Sequence, residues 1–205
     1  MQRKKSKPRK PEVFESIDRN FQKNRIVFSP FRIKKGHIKG IELILKVDTR
    51  ERRKRTDKKS YFYQNLKTCG FPCDHETLGL GDFLWTIKIT DIYGTIHECI
   101  TEYIIERKIK DDLASSIMDG RYKDQSTRIL QSGLKRPIYM VEGDLSSGFR
   151  NLNKAVEKAV YSLRCKNRFS VIETKNHNES ISYIKLFQNK IQKQISQMID
   201  DTPVD

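Results

Sequence analysis

Short apolar runs separated by turn residues are the first regular feature of this chain, and they begin at residue 41. A run of four to eight apolar or β-branched residues, bounded by polar or glycine positions, is typical of a strand. The pattern predicts strands at residues 41–47, 73–78, 83–90, 100–107, 137–141 and 169–172. Because Gly94 follows closely behind Asp91, we expect a hairpin between the third and fourth of these strands.

Apolar residues spaced three or four positions apart indicate helices between and after the strands. This spacing predicts helices over residues 60–69, 113–119, 122–132 and 152–163, and a last one with an apolar stripe through 184–198. Gly120 and Gly133 are placed as helix stops. Strands that alternate with helices, together with one hairpin, predict an α/β fold with a mixed sheet flanked by helices on both faces.

The chain divides unevenly into an arm and a domain. Residues 1–40 are polar and basic and contain several proline and glycine residues, so we expect a basic N-terminal arm or linker. Residues 41–199 are long enough to bury one hydrophobic core. Residues 200–205 are acidic and contain a proline, and we expect a frayed tail.

Positive charge is concentrated in the first part of the chain. Residues 1–60 carry 21 Lys+Arg against 7 Asp+Glu, whereas the remaining residues carry 20 against 19. Such a patch attracts a polyanion, so nucleic acid is the default partner and an anionic membrane the weaker alternative. For the first ten residues, a solvated tail that aids solubility or nuclear import is the lesser alternative. The second cluster contains Arg52, Arg53 and Arg55 and directly follows an acidic motif, which favours DNA binding.

Several classes of protein are disfavoured by what the sequence contains. We find no apolar run long enough for a membrane span and no signal peptide, so we expect a soluble intracellular protein. The four cysteines lack the spacing of a zinc site, and we interpret them as reduced thiols. The four histidines show no partner spacing, and we assign them no role in catalysis.

The chemistry is concentrated at Asp82 and at Glu106-Arg107-Lys108, on two strands of the expected sheet. Residues two apart on a strand point to the same face, so Glu106 and Lys108 lie together and a neighbouring strand can bring Asp82 beside them. Two converging carboxylates suit a magnesium or manganese ion, and an adjacent lysine can offset charge on a phosphate. The group is fit for phosphodiester hydrolysis, although surface Glu and Lys near a strand end would show the same pattern.

A longer motif extends this match. Gly81-Asp82 followed by Glu106-Arg107-Lys108 and Asp112 resembles the signature GDx(n)ERKx3D of the XPF family of structure-selective endonucleases. The segment 47–51 resembles an upstream stretch of the family, and the segments 81–85, 111–122 and 133–142 resemble stretches of its Mus branch. The resemblance covers roughly residues 40–195, the whole nuclease domain of that family.

The resemblance implies a restriction-endonuclease-like fold and a set of site residues. Expected metal ligands are Asp82, Glu106, the Arg107 carbonyl and Asp48, while Glu51 completes the acidic cluster and Lys108 is the catalytic lysine. Two roles stay open for Asp112, the last acid of the signature or a helix cap or first-turn acid, and Arg107 also fits a structural ion pair. Arg121, Gln125 and Arg128 match positions that face DNA, although a solvated helix face is equally compatible with them.

The same resemblance implies a function, partners and a compartment. It implies a Mg²⁺-dependent endonuclease, with Mn²⁺ as a substitute, that cuts 3'-flaps, forks and nicked Holliday junctions in recombination and fork repair. A non-catalytic, Eme-like paralogue is the expected heterodimer partner, and the nucleus is the expected compartment in a eukaryote. We expect no C-terminal helix-hairpin-helix domain in this chain, which departs from the family pattern. The alternative is a non-catalytic DNA-binding or scaffolding subunit of a heterodimeric nuclease.

Overall fold

The computed structural model describes residues 25–28, 31–51, 61–143 and 150–202, and these residues form two sheets and five α-helices. The strands are β1 (Arg25–Phe28), β2 (Phe31–Lys34), β3 (Ile38–Asp48), β4 (Cys73–Glu76), β5 (Phe83–Asp91), β6 (Ile96–Ile109), β7 (Arg136–Glu142) and β8 (Ser170–Thr174). The helices are α1 (Tyr61–Thr68), α2 (Lys110–Met118), α3 (Arg121–Gln131), α4 (Arg150–Cys165) and α5 (His177–Asp200).

Six strands form the central sheet, in the order β4-β3-β5-β6-β7-β8. β5 is antiparallel to both β3 and β6, and the other three pairs are parallel. The β5–β6 pair is the predicted hairpin, and its turn is held by Asp91, whose carboxylate accepts from the backbone N–H groups of Tyr93 and Thr95. The mixed sheet expected from the sequence is thereby confirmed.

Helices cover the sheet on both faces, because successive residues of the buried strands point to opposite sides. On one face, Ile105 and Met140 pack in a core with α1 and α5. On the other face, Ile104 and Tyr139 pack with α2, α3 and α4. This arrangement explains why the central strands read as continuous apolar runs rather than as an alternation of apolar and polar residues.

Packing of α5 uses the apolar stripe that the sequence analysis identified. Ile184, Ile191 and Ile195 are buried in the core against the sheet. Gln188 lies on the same face, where its side-chain oxygen accepts a 2.6 Å hydrogen bond from the indole N–H of the fully buried Trp85. The stripe therefore stabilises the fold of this chain.

The main differences from the predicted strand boundaries are strands that begin earlier than the sequence indicates. β3 begins at Ile38 and β6 at Ile96, three and four residues earlier than predicted. β1 and β2 form an antiparallel pair within the segment expected to be an arm, and Ile33 of β2 packs in the α1/α5 core. Polar residues and Gly40 interrupt the apolar pattern there, so these extensions carry no periodic signal.

All four cysteines are free thiols, as expected. In the part of the chain that the structure describes, we find no helix with the length and apolar character needed to cross a membrane.

Candidate active site

A cavity of about 360 Å³ opens between the turn that precedes β5, the end of β6, the start of α2 and helix α3. It brings together most of the chemistry-bearing residues that the sequence singled out. Its lining residues with functional groups are Arg50, Glu51, Asp82, Glu106, Arg107, Lys108, Asp112, Gln125 and Arg128.

Asp82 is held in this cavity by backbone hydrogen bonds on three sides. Its N–H donates to the Ile105 carbonyl over 2.8 Å, and its carbonyl accepts from the Asp48 N–H over 2.9 Å. Its Oδ2 atom accepts from the Arg107 N–H over 2.7 Å. Gly81 precedes it with a φ of +69°, a conformation that glycine adopts without strain. The Gly-Asp pair is therefore a fixed turn that delivers one carboxylate to β6.

Glu106 and Lys108 lie on one face of β6, as their spacing predicted. Lys108 Nζ is 3.7 Å from Glu106 Oε1, and both side chains are largely buried. Burial raises the pKa of Glu106 to about 8, with a further contribution from the Asp82 charge, and the Lys108 ammonium opposes both. Burial likewise raises the pKa of Asp82 to about 6. Two carboxylates that resist ionisation side by side would be stabilised by a cation.

Asp48 is fully buried behind the cavity and is bound by Arg50. Its carboxylate accepts from the Arg50 backbone N–H, from Arg50 Nε and Nη2, and from the Leu78 N–H, at 2.6 to 2.8 Å. Burial acts to raise the pKa of Asp48, but these hydrogen bonds hold it below its ordinary value. Direct metal ligation by Asp48 would require Arg50 to move, and the Arg50 side chain is 68% exposed.

Arg107 places its side chain on the opposite face of β6, in a buried ion-pair network. The guanidinium donates to Glu51 and, through two bonds of 2.9 and 2.6 Å, to Glu142 at the end of β7. It also lies 4.6 Å above the centre of the Phe62 ring. The Arg107 side chain therefore forms the structural ion pair that was one of the two roles considered for this residue. The Arg107 backbone N–H points towards Asp82.

The network continues into α5, through residues that the sequence analysis did not identify. Glu142 accepts a 2.6 Å hydrogen bond from the Ser180 hydroxyl, and His177 Nδ1 lies 2.6 Å from its other oxygen. An acid that ends a buried apolar strand is the same signal that marked Asp48, so Glu142 could have been found from the sequence. His177 and Ser180 carry no comparable signal.

Asp82 and Glu106 are the residues best suited to hold a divalent metal ion. Within the described ranges, no three His, Cys, Asp or Glu side chains form a preassembled metal cluster. Asp48 is bound to Arg50 at 2.8 Å, and Glu51 and Glu142 are bound to Arg107. Asp112 lines the cavity but is exposed, whereas Asp82 and Glu106 line it together with Lys108, which lies 3.7 Å from Glu106. Magnesium is commonly held by one or two carboxylates, with water and substrate phosphate oxygens as the remaining ligands, so the pair fits this ion.

The residues expected to face DNA are partly assembled at the same cavity. Gln125 and Arg128 of α3 line it, and Arg128 Nη2 donates to the Gly79 carbonyl over 2.9 Å. Arg121 is not among the lining residues, and its exposed side chain pairs with Asp119. Asp112 lies in the first turn of α2 and lines the cavity, while Ile109 occupies the N-cap position, so Asp112 is not the cap.

The basic cluster formed by Arg52, Arg53 and Arg55 lies outside the described residues.

The chain is similar in sequence to known crossover junction endonucleases. It is 33% identical to the crossover junction endonuclease MUS81 of Debaryomyces hansenii over 158 residues, which is 76% of this chain and 24% of that protein. It is 40% identical to the Candida albicans protein of the same name over 105 residues, 51% of this chain and 16% of that protein. Against the structure-specific endonuclease subunit MUS81 of Danio rerio, the identity is 30% over 66% of this chain and 24% of that protein. The chain thus spans about a quarter or less of the length of these relatives.

Solved structures agree on the fold. XPF from Aeropyrum pernix, in complex with DNA, superposes with a TM-score of 0.56 at 20% identity, over 74% of this chain and 66% of that one. The likeness confirms the restriction-endonuclease-like fold expected from the sequence. The sequence model of the ERCC4 domain matches residues 47–187, which include the Asp82, Glu106 and Lys108 cluster. Because this match covers well over half of the 205 residues, the chain belongs to the ERCC4 domain family, the family of the XPF nucleases.

Proposed function

We propose that this chain is the nuclease domain of a magnesium-dependent, structure-selective DNA endonuclease. One observation carries the proposal: two carboxylates, the half-buried Asp82 and the buried Glu106, line one cavity with an amine, Lys108. Gln125 and Arg128 of α3 line the same cavity and provide an amide and a cation for the sugar-phosphate backbone.

Each residue of the cluster has a distinct task in phosphodiester hydrolysis. Asp82 and Glu106 would hold the metal ion, and the Arg107 N–H fixes the orientation of the Asp82 carboxylate. When bound, magnesium supplies positive charge to the phosphoryl oxygens and activates water for attack. Lys108 is placed to orient the attacking water and to offset charge on the phosphate. Water adds to phosphorus and the bond to the 3' oxygen breaks, which leaves a 5'-phosphate and a 3'-hydroxyl.

Branched DNA is the substrate class that we propose, namely 3'-flaps, forks and nicked Holliday junctions. The support is the similarity to relatives that are crossover junction and structure-specific endonucleases. Recognition through phosphates carries no base code, so cutting should follow the branch position and not the base sequence.

Partner and compartment complete the proposal. We propose a non-catalytic, Eme-like paralogue as partner, since Tyr161 of α4 and Leu186 of α5 expose large apolar side chains. We propose the nucleus as compartment because the relatives are eukaryotic.

Cleavage of labelled 3'-flap and fork DNA in the presence of Mg²⁺ tests the activity. Asp82→Asn and Glu106→Gln keep the shape of each side chain and remove its charge, so we expect a loss of at least about 100-fold in rate. Asp111→Asn is the matched control, because Asp111 is an exposed acid beside Asp112 that does not line the cavity.

Two results would contradict the proposal. Variants Asp82→Asn and Glu106→Gln that cut as fast as the parent would show that the acid pair is not the active site. A parent chain that binds branched DNA but leaves it intact at every Mg²⁺ and Mn²⁺ concentration, with or without the paralogue, would instead indicate a non-catalytic DNA-binding subunit.

A further inference from the structure

The hydroxyl of Tyr139 is a buried polar group that the proposed chemistry does not yet use. Tyr139 lies on β7 and is fully buried in the core with α2, α3 and α4. Among the residues that the structure describes, no hydrogen-bond partner is found for this hydroxyl. A buried hydroxyl without a partner destabilises the folded state, so such a group calls for an explanation in terms of what it binds.

Strand register places Tyr139 beside the acid pair. Tyr139 is the direct partner of Glu106 in the parallel β6–β7 ladder. Partners in a parallel ladder point to the same face of the sheet, and both residues share that face with Ile104. Burial raises the pKa of Tyr139, and the negative charge of Glu106 adds to this effect.

Aromatic neighbours limit where the Tyr139 side chain can go. Its ring makes edge contacts with Tyr122 and Phe169, with ring centres 6.2 and 6.0 Å apart. A ring held on two sides keeps its hydroxyl in one place, as positioning a catalytic group requires.

We propose that Tyr139 is a positioning residue of the nuclease site, whose hydroxyl donates to the Glu106 carboxylate, directly or through one water, when Glu106 holds a divalent metal ion. This inference rests on the proposed function, because it assigns Glu106 to the metal. A donor to the carboxylate fixes the orientation of its oxygens and favours its charged form. Loss of such an outer hydrogen bond commonly lowers metal affinity or activity by about 10- to 100-fold.

Tyr122 provides a matched control in the same aromatic cluster. It is also a buried tyrosine, but its hydroxyl donates to the Ala159 carbonyl of α4 over 3.0 Å. Tyr122→Phe therefore removes a hydrogen bond that holds two helices together. Tyr139→Phe removes a hydroxyl for which the described residues offer no partner.

The experiment compares the full chain with Tyr139→Phe and Tyr122→Phe. Mn²⁺ binding by calorimetry, the Mg²⁺ concentration for half-maximal cutting of a 3'-flap, metal-free DNA affinity and the urea midpoint are measured for each. For Tyr139→Phe we expect metal affinity to fall about 10-fold, with unchanged metal-free DNA affinity and an unchanged or higher urea midpoint. For Tyr122→Phe we expect a lower urea midpoint and unchanged metal affinity.

The outcomes separate this inference from the proposed function. If Asp82→Asn abolishes cutting while Tyr139→Phe binds and uses metal like the parent, the site stands and the role of Tyr139 is refuted. If Tyr139→Phe and Tyr122→Phe weaken metal binding equally, the effect is one of core packing and the inference also fails. Undiminished cutting by Asp82→Asn would overturn the proposed function itself.

Discussion

The Arg107 backbone N–H donates to the Asp82 carboxylate over 2.7 Å, so the residue that follows one proposed metal ligand orients the other. The Arg107 side chain is anchored on the far face of the sheet by Glu51 and Glu142. Arg107 therefore joins the cavity on one side of β6 to an ion-pair network on the other side. The geometry of Asp82 and Glu106 depends on the Arg107 backbone and on the ion pairs that hold its side chain.

Gly81 provides the first prediction, because the turn before Asp82 has no room for a side chain. A Cβ atom there would lie 2.6 Å from Ile104 Cγ1 and 3.1 Å from the Ile105 carbonyl oxygen, at a φ of +69°. We expect Gly81→Ala to lower the free energy of unfolding by about 1–3 kcal/mol, as measured by urea denaturation. Because the substitution also displaces Asp82, the rate of DNA cutting should fall by more than the loss of folded protein explains.

Gly79→Ala is the control for this change. A Cβ atom at Gly79 meets nothing within 4 Å, and the residue has no positive φ. Gly79→Ala should change the free energy of unfolding by less than about 0.5 kcal/mol. Equal effects of the two substitutions would contradict the argument from close contact.

Arg107 provides the second prediction. Arg107→Met keeps much of the side-chain length but leaves Glu51 and Glu142 buried without their cation. Removing one partner of a buried ion pair typically costs about 3–5 kcal/mol, and we expect a loss of that order in urea denaturation. Arg121→Met is the matched control, since the exposed Arg121–Asp119 pair should contribute less than about 1 kcal/mol. A loss below 1 kcal/mol for Arg107→Met would contradict a structural role for the network.

Much of the fold could be predicted from the sequence because the central strands are buried on both faces. Runs such as residues 137–141 are apolar without interruption, and such runs are visible in the sequence. The E-x-K spacing likewise fixed which side chains of β6 share a face.

What could not be predicted depends on contacts between distant segments. Arg50 donates hydrogen bonds to Asp48 and to the Leu78 carbonyl. No local sequence pattern indicates that an exposed arginine would bind the carboxylate of a predicted metal ligand. The early start of β3 at Ile38 comes from its pairing with β5 and not from its own residues. Tyr139 was visible only as part of an apolar strand, because its relation to Glu106 requires the strand register.

The third prediction concerns pH and metal together. Burial raises the pKa of Asp82 to about 6 and the pKa of Glu106 to about 8. At a pH between the ordinary pKa of each group and its raised pKa, the folded protein therefore binds more protons than the unfolded chain. The stability that they contribute is therefore fully present below about pH 4 and is lost as the pH rises towards 8. Each shifted group changes the free energy of unfolding by up to about 1.4 kcal/mol per pH unit.

Urea denaturation of the metal-free protein at pH 6 and pH 8 measures this effect. We expect a lower midpoint at pH 8, a smaller difference in Glu106→Gln, and recovery of the midpoint at pH 8 when MgCl₂ is added at constant ionic strength. Recovery is expected because a metal ion binds the ionised carboxylates and only the folded chain brings them together. Identical pH dependence in the parent and Glu106→Gln would show that Glu106 has no raised pKa.

The fourth prediction tests the path of DNA across the site. Arg128 lines the cavity with the acid pair, and its exposed guanidinium donates to the Gly79 carbonyl, so it is placed to contact a phosphate next to the cut. Each phosphate contact contributes about 0.9 to the slope of log affinity against log salt for duplex DNA. We expect Arg128→Ala to reduce that slope by about one, and joint neutralisation of Arg52, Arg53 and Arg55 to reduce it further.

Arg164→Ala is the control, because Arg164 pairs with Glu173 on an exposed surface away from the cavity. An unchanged slope in Arg128→Ala would mean that the DNA backbone passes elsewhere, and a change as large in Arg164→Ala would mean that net charge alone decides binding.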